Sequence, residues 1–320
     1  IMGTLMTVSS NNWFGVWMGL EVNLLSIIPL MSNPQNPMES EAALKYFITQ
    51  TIASAILLFS IIIMMINTQK MTPTPMTMIL TSTILMKMGA APFHFWFPEI
   101  MEGMTWLNAL IMLTWQKIAP MIILTYTEKL FMFLSLIIVW SMIISGSLGI
   151  NQTSLRKIFT FSSINHIGWM ISSTFISQSI WTIYLSIYAL ISLAMISTLK
   201  KMNSFHIKQL INSLNNKKLT KTLFILNFMS LGGLPPFLGF FPKWITINSL
   251  IEMKMFTLTT MMTILTMMTL YFYLRMMMPS LNLYTTESLK TSQNKMINES
   301  MMNTILLTSL ISTPLVMSFV

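Results

Sequence analysis

Four ionisable residues stand where an apolar chain should carry none. Glu21, Lys87, Lys117 and Lys243 each fall inside a long hydrophobic run of this 320-residue sequence. Removal from water favours the neutral form of a lysine, so such a group can take up and return a proton near neutral pH. Two charges about 8 Å apart at an effective dielectric near 20 interact by about 2 kcal/mol, or about 1.5 pKa units. Protonating one site then pushes a proton off its neighbour, which is relay chemistry. His166, in Ser162-Ser-Ile-Asn-His166 at the middle of another apolar run, is of the type to join it. Its hydroxyl and amide neighbours suit water. A single backbone hydrogen bond would satisfy the ring equally well, and that alternative stays open. His94, among aromatics near the end of a run, reads as an interfacial histidine with its partners supplied. His206, in a basic loop, is given no role.

These positions are costly. Glu21 and Lys117 lie within about a residue of the middle of their runs, and Lys87 is at the middle of its own. The nearest interface is then about 15 Å away, beyond the reach of a lysine stem. Each such charge costs about 2.5–3.5 kcal/mol and the four together about 10–14 kcal/mol. Glu21 could pair with one lysine simply to hold helices together. One acid does not neutralise three lysines, so at least two need another account.

The elements that hold these residues follow from composition. Hydrophobic residues make up 54% of the chain and charged residues 8%, with a mean hydropathy of +0.68. Soluble domains carry about 25% charged residues, so most of this surface must face lipid. The fold class expected is an all-α polytopic membrane protein. Runs long enough to cross, about 20 residues each, occupy 13–31, 42–66, 76–97, 104–126, 130–150, 158–176, 180–200, 221–249, 256–278 and 301–319. That makes ten. Residues 1–9 are apolar but short, and an upstream piece of a first span would raise the count to eleven.

The same inventory excludes much. There is no cysteine, hence no disulfide framework, thiolate zinc site, iron–sulfur cluster or c-type haem attachment. Three scattered histidines cannot hold two haems, and no Gly-rich nucleotide loop occurs. No cofactor or metal is expected in this chain. The net charge of +9 reads as loop charge that sets orientation rather than as a nucleic-acid footprint. Thirty-five methionines point to a biased genetic code.

With eleven spans, the N-terminal side receives Lys45, Arg156, Lys157, Lys200, Lys201, Lys208, Lys217, Lys218, Lys221, Arg275, Lys290 and Lys295. The other side receives only Lys70, Lys129 and Lys254. The basic side is the cytoplasmic or matrix side, and the C-terminus is expected opposite.

Residues 89–98 read Gly-Ala-Ala-Pro-Phe-His-Phe-Trp-Phe-Pro, and 233–242 read Gly-Leu-Pro-Pro-Phe-Leu-Gly-Phe-Phe-Pro. Gly89/Gly233, Pro92/Pro236, Phe93/Phe237, Phe97/Phe241 and Pro98/Pro242 coincide at an offset of 144 residues, or five spans. The same offset carries Glu21 onto Asn165, beside His166. An odd number of spans inverts the second copy, and inverted repeats with interrupted helices mark transporters with a site at mid-membrane. Proline inside a helix removes a bond and clashes with the previous turn. Lys87 lies just before one break and Lys243 just after the other. The division expected is a first repeat over 1–129, a second over 130–278, and a loop with a C-terminal helix over 279–320. Gly15 and Gly19 form a GxxxG face for a neighbouring helix.

Five segments carry a resemblance that spans the chain: Gly19-Leu-Glu21-Val-Asn23-Leu-Leu-Ser26, Leu85-Met-Lys87-Met-Gly89-Ala-Ala-Pro92-Phe-His94-Phe-Trp96, Leu113-Thr-Trp-Gln-Lys117-Ile-Ala-Pro120, Ser162-Ser-Ile-Asn-His166-Ile-Gly168-Trp169 and Gly232-Gly-Leu-Pro-Pro236-Phe-Leu-Gly239-Phe-Phe-Pro-Lys243-Trp244. In these the sequence resembles the antiporter-like membrane subunits of respiratory complex I, in their mitochondrially encoded, insect-like form. That family is similar to Mrp-type sodium/proton antiporters. The resemblance implies two inverted five-helix repeats, each with a broken helix. It implies proton-transfer roles for Glu21, Lys87, Lys117 and Lys243, with His166 among the central polar residues. It implies movement of protons from matrix to intermembrane space. Partners would be the other membrane-arm subunits and the lipid bilayer of the mitochondrial inner membrane, with room for bound phospholipid. NAD, FMN, iron–sulfur clusters and ubiquinone would sit in other subunits. A mitochondrial code accounts for the methionines. A free secondary cation/proton antiporter is the alternative, weakened by the absence of any aspartate. A membrane subunit whose polar residues only pack helices is the third reading.

Overall fold

The computed structural model describes residues 1–66, 74–215 and 218–281. The expected span at 301–319 and Lys70, Lys217, Lys290 and Lys295 lie outside the described residues. Among those described, the chain is helical with one isolated bridge, Ser154 with His206. Lipid offers no partner for backbone N–H and C=O groups, so each crossing segment must satisfy them internally.

The helices are α1 (Met2–Ser9), α2 (Trp13–Met31), α3 (Pro37–Ile66), α4 (Thr74–Met88), α5 (Trp96–Gly103), α6 (Trp106–Leu113), α7 (Ile118–Tyr126), α8 (Phe131–Ile150), α9 (Leu155–Thr174), α10 (Gln178–Met202), α11 (Ile207–Asn215), α12 (Lys218–Gly232), α13 (Phe240–Glu252) and α14 (Phe256–Leu281). A 3-10 turn, Trp115–Lys117, joins α6 to α7. Six described segments are long and apolar enough to cross a membrane: Trp13–Met31, Pro37–Ile66, Trp106–Tyr126, Phe131–Ile150, Gln178–Met202 and Phe256–Met278. The other expected crossings differ for physical reasons. Residues 76–97 and 221–249 are broken into α4 with α5 and α12 with α13. Helix α9 is long enough, but it is rich in polar residues.

Helix α9 carries that polarity because it sits at the centre. Nearly all its residues from Leu155 to Thr174 are buried in protein. Its hydroxyls are satisfied within the helix. Ser162, Ser163, Ser172, Ser173 and Thr174 donate to the carbonyls of Phe159, Thr160, Trp169, Met170 and Ile171. Such back-bonding removes the cost of an unpaired hydroxyl. Asn165 and His166 are left to reach other helices.

The 144-residue offset appears in the element bounds. Shifted by 144, Thr74–Met88 falls on Lys218–Gly232, and the start of α5 at Trp96 falls on the start of α13 at Phe240. Gly89 and Gly233 open the two breaks with φ of +77° and +76°, a region that other residues avoid. A third break, at Thr114–Lys117, interrupts what the sequence suggests as one continuous span. Proline 120 offers no N–H to the carbonyl of Gln116 and its ring crowds that turn.

Two apolar cores form, one toward each end of the bundle. One holds Leu24, Tyr46, Leu113, Ile164, Ile191, Leu231 and Phe272. The other holds Leu20, Leu57, Ala119, Ile167, Tyr184, Leu250 and Met262. On helix after helix the change of core coincides with polar side chains: Glu21 and Asn23, Gln50 and Ser54, Lys117, Asn165 and His166, Lys243, Thr269. A polar layer thus crosses the bundle between two apolar halves.

Contacts at the helix ends pair the residues that the alternating count assigns to one side. Lys45 meets Glu99 at 3.1 Å and Lys157 meets Glu102 at 2.6 Å. Arg156 donates to the Met104 carbonyl at 2.6 Å, and Arg275 donates to the Ile150 carbonyl. At the other end Lys129 donates to the Phe175 carbonyl at 2.9 Å.

Only one glycine of the GxxxG pair serves a helix contact. A Cβ on Gly19 would lie 2.6 Å from Thr7 Cγ2 and 2.7 Å from the Thr7 backbone nitrogen, on α1. Gly15 faces Ser10 instead. Gly19→Ala is therefore expected to destabilise the α1–α2 pair by about 1–3 kcal/mol, while Gly15→Ala costs less. Thermal unfolding in detergent micelles checks the order.

Candidate functional site

The polar layer is built around broken helices. A break frees carbonyls at the C-terminal end of its first half, which carries partial negative charge. Lys87 lies in the last turn of α4. Lys243 comes from the first turn of α13 and reaches back over the break, where its Nζ donates to the Gly232 carbonyl at 2.9 Å. The Lys243 ammonium thus sits at the negative end of a half-helix, and both lysines are buried, at 8% and 6% exposure. Lys243 also faces the Trp169 ring at 5.9 Å.

The Gly233 backbone makes room for this arrangement. A Cβ there would lie 2.8 Å from both Cδ and Nζ of Lys243. A Cβ on the neighbouring Gly232 meets nothing closer than 3.6 Å.

Lys117 is the most deeply buried of the three, at 2% exposure. Its Nζ is buried without a hydrogen-bond partner. It lies 4.8 Å from the centre of the Tyr188 ring and 5.8 Å from that of Phe97. Ring faces are electron-rich and hold a desolvated cation.

Glu21 meets no lysine within ion-pair distance, since the three ion pairs among the described residues all involve other carboxylates. The helix-holding pair that one acid could have made is therefore not formed. Glu21 Oε1 accepts from Ser54 Oγ at 3.4 Å, and Oε2 is buried without a partner.

His166 joins the two ends. Its Nδ1 is 2.9 Å from the Tyr184 hydroxyl, and its ring lies 4.9 Å from that of Tyr188. Its Nε2 is buried without a partner. A cavity of about 10 Å³ opens beside it, lined by His166, Tyr184, Tyr188, Ser230, Gly239 and Pro242 among others. That is close to the limit for one water.

Across the layer, Lys117 lies against Tyr188, Tyr188 against His166, and Lys243 against Trp169 of the same helix α9. Glu21 Oε2, Lys117 Nζ and His166 Nε2 are among the buried polar atoms left without a protein partner, as are Gln50 Nε2, Asn165 Oδ1 and Trp169 Nε1. Orphaned polar atoms are rare in proteins and call for a function or a water.

Sequence reasoning missed Tyr184 and Tyr188. These two stand four apart on α10, hence on one face, several residues inside the span. It also missed the amide pair of Asn23 with Gln116. His94 is 2% exposed within the first break, with Nδ1 3.3 Å from the Pro92 carbonyl and its ring 4.4 Å from Phe95. It is satisfied locally, as expected, but it is buried. His206 is exposed.

The family profile described as NADH:quinone oxidoreductase/Mrp antiporter, transmembrane, matches residues 10–269. The chain is 47% identical over 280 residues to the NADH-ubiquinone oxidoreductase chain 2 of Anopheles gambiae, covering 86% of this chain and 82% of that protein. It is 39% identical over 299 residues to the protein of the same name from Ailurus fulgens, covering 88% and 85%. In structure it is similar to a chain of respiratory complex I from Thermus thermophilus, solved with bound aureothin. The TM-score is 0.84 at 20% identity, over 98% of this chain and 76% of that one. A chain of the Mrp complex from a Dietzia strain matches with a TM-score of 0.73 at 16% identity, over 86% and 57%.

Gly233→Ala is expected to lower stability by about 1–3 kcal/mol through its positive φ, and to displace the Lys243 side chain. Gly232→Ala should be tolerated. Unfolding temperatures of the two variants in the same detergent decide between this and a break that tolerates either change.

Proposed function

The chain belongs to the NADH:quinone oxidoreductase/Mrp antiporter family of membrane proteins, and we propose that within it this chain is a proton-translocating membrane-arm subunit of NADH:ubiquinone oxidoreductase. The observation that carries the reading is the polar layer. Three lysines are buried between two apolar cores and a half-buried glutamate stands in the same layer, none of them ion-paired to another. A purely structural subunit would gain nothing from that cost.

In this reading a proton enters and leaves the layer by successive occupancy. Charge held at Glu21 sets the proton occupancy of Lys87. Lys117, His166 and Lys243 pass the change on, each by Coulomb interaction with the next. Tyr184 orients the His166 ring, and the Tyr188 ring separates His166 from Lys117. Free carbonyls at the half-helix ends hold the lysines when charged. The repeats run over 1–129 and 130–278, with the remainder at 279–320, and the shared 144-residue offset of α4 with α12 supports that division.

The chain carries no redox centre of its own. NAD, FMN, iron–sulfur clusters and ubiquinone are handled by other subunits, whose electron transfer supplies the drive. The partners are the other membrane-arm subunits, including other antiporter-like ones, and the site of action is the mitochondrial inner membrane. The basic end, with Lys45, Arg156 and Lys157, faces the matrix by the positive-inside rule. The N-terminus shares that side, and the C-terminus faces the intermembrane space. Protons move from matrix to intermembrane space.

Native electrophoresis after mild detergent extraction tests the placement. Probing for this chain and staining the same gel for NADH dehydrogenase activity should give one active band far larger than 36.6 kDa. Migration alone, without NADH activity, would leave a free antiporter as the account.

A further inference from the structure

We propose that Asn23 and Gln116 form a positioning pair that holds the Lys117 turn against the Glu21 helix, so that a change at Glu21 is delivered to Lys117. The inference rests on the relay reading above and adds two residues to it.

The ammonium of Lys117 makes no hydrogen bond to a protein atom among the described residues. The two rings that face it attract a cation without fixing its position along or across them. Its place is therefore set by the turn that Lys117 ends, and that turn is a break. Thr114 leaves the helix with φ −116° and ψ −69°, and Pro120 withholds a donor from the Gln116 carbonyl. Within the turn, the Thr114 hydroxyl bonds back to Leu110 at 2.8 Å. Trp115 is exposed. Gln116 reaches across to another element. Asn23 Nδ2 donates to Gln116 Oε1 at 3.1 Å, and Gln116 Nε2 donates to Asn23 Oδ1 at 3.2 Å. Two antiparallel bonds between planar amides fix both distance and orientation, which a single bond does not.

The other end of the clasp lies next to Glu21. Asn23 follows it by two residues, about 200° around α2. One side of that helix carries the Glu21 carboxylate, whose Oε1 lies 3.4 Å from Ser54 Oγ of α3. The other side carries the amide that holds the Lys117 turn. Helix α1 backs the same spot, since a Cβ on Gly3 would lie 2.8 Å from the Asn23 nitrogen. A rotation or slide of α2 that follows the charge on Glu21 therefore carries the Lys117 turn with it. Coupling of this kind needs a continuous physical link between sites, and the clasp supplies it between the Glu21 helix and the Lys117 turn.

The test uses the whole complex in sealed vesicles and reads protons translocated per NADH oxidised, alongside the amount of assembled complex. Asn23→Leu and Gln116→Met remove the clasp. Each is expected to lower the proton yield about threefold or more, and the double variant should be no worse than the worse single. The exchanged pair, Asn23→Gln with Gln116→Asn, keeps both amides and should recover roughly half of the lost yield or more. The milder Asn23→Ser should act in the same direction if Asn23→Leu fails to assemble. Wild-type yield in the assembled single variants would overturn the proposal, as would losses that multiply in the double. A fall in assembled complex with unchanged yield would make the pair structural and overturn it too. Lys117→Met separates the two levels of failure. If it also leaves the yield unchanged, the relay reading falls. If it alone abolishes the yield, only the clasp falls.

Discussion

Burying charge in the middle of a membrane bundle constrains everything else in this molecule. Three ammonium groups and a carboxylate at about 2.5–3.5 kcal/mol each must be offset without ion pairs. The bundle does this with groups that stabilise a cation but leave it free to lose its proton. A half-helix carbonyl receives Lys243. Aromatic faces receive Lys117. A carboxylate in contact would have fixed each lysine in its charged form, and a relay residue held permanently charged passes nothing on.

The breaks follow from that constraint. An intact helix presents no free carbonyl inside the membrane, so a half-helix end must be made where a cation is wanted. Proline removes the donor and glycine supplies the positive φ, as at Gly89 and Gly233. The surrounding protein then has to satisfy the rest of the backbone, so the breaks lie inside the bundle. Helix α9 occupies the centre for the same reason. Its self-satisfied hydroxyls give a packing surface that tolerates polar neighbours, and it brings Asn165 and His166 into the layer. The division of the apolar residues into two cores is the counterpart of the polar layer between them.

Much of this was legible in the sequence. Charges at the middle of apolar runs and two glycine–proline segments 144 residues apart are local patterns, and each has a visible structural counterpart. Helix α2 spans the residues expected, Trp13–Met31. The remainder depended on which helices meet. The break at Thr114–Lys117 had Pro120 as its only signal, and a lone proline is commonly a kink. Tyr184 and Tyr188 have the spacing of any helical face, and only the packing of α10 on α9 makes them partners of His166. Asn23 and Gln116 lie 93 residues apart, and no local pattern pairs two amides at that distance. The centrality of α9 was masked by its polarity, which resembles a poor membrane span until its neighbours are known.

The most direct measurement of the central claim, that protons cross through this layer, is the proton yield of sealed vesicles whose complex carries Lys243→Met. Methionine keeps the length and apolar stem of the lysine and removes the charge. The account predicts that the complex assembles with this chain present and that protons translocated per NADH oxidised fall. An unchanged yield in the assembled variant would contradict it.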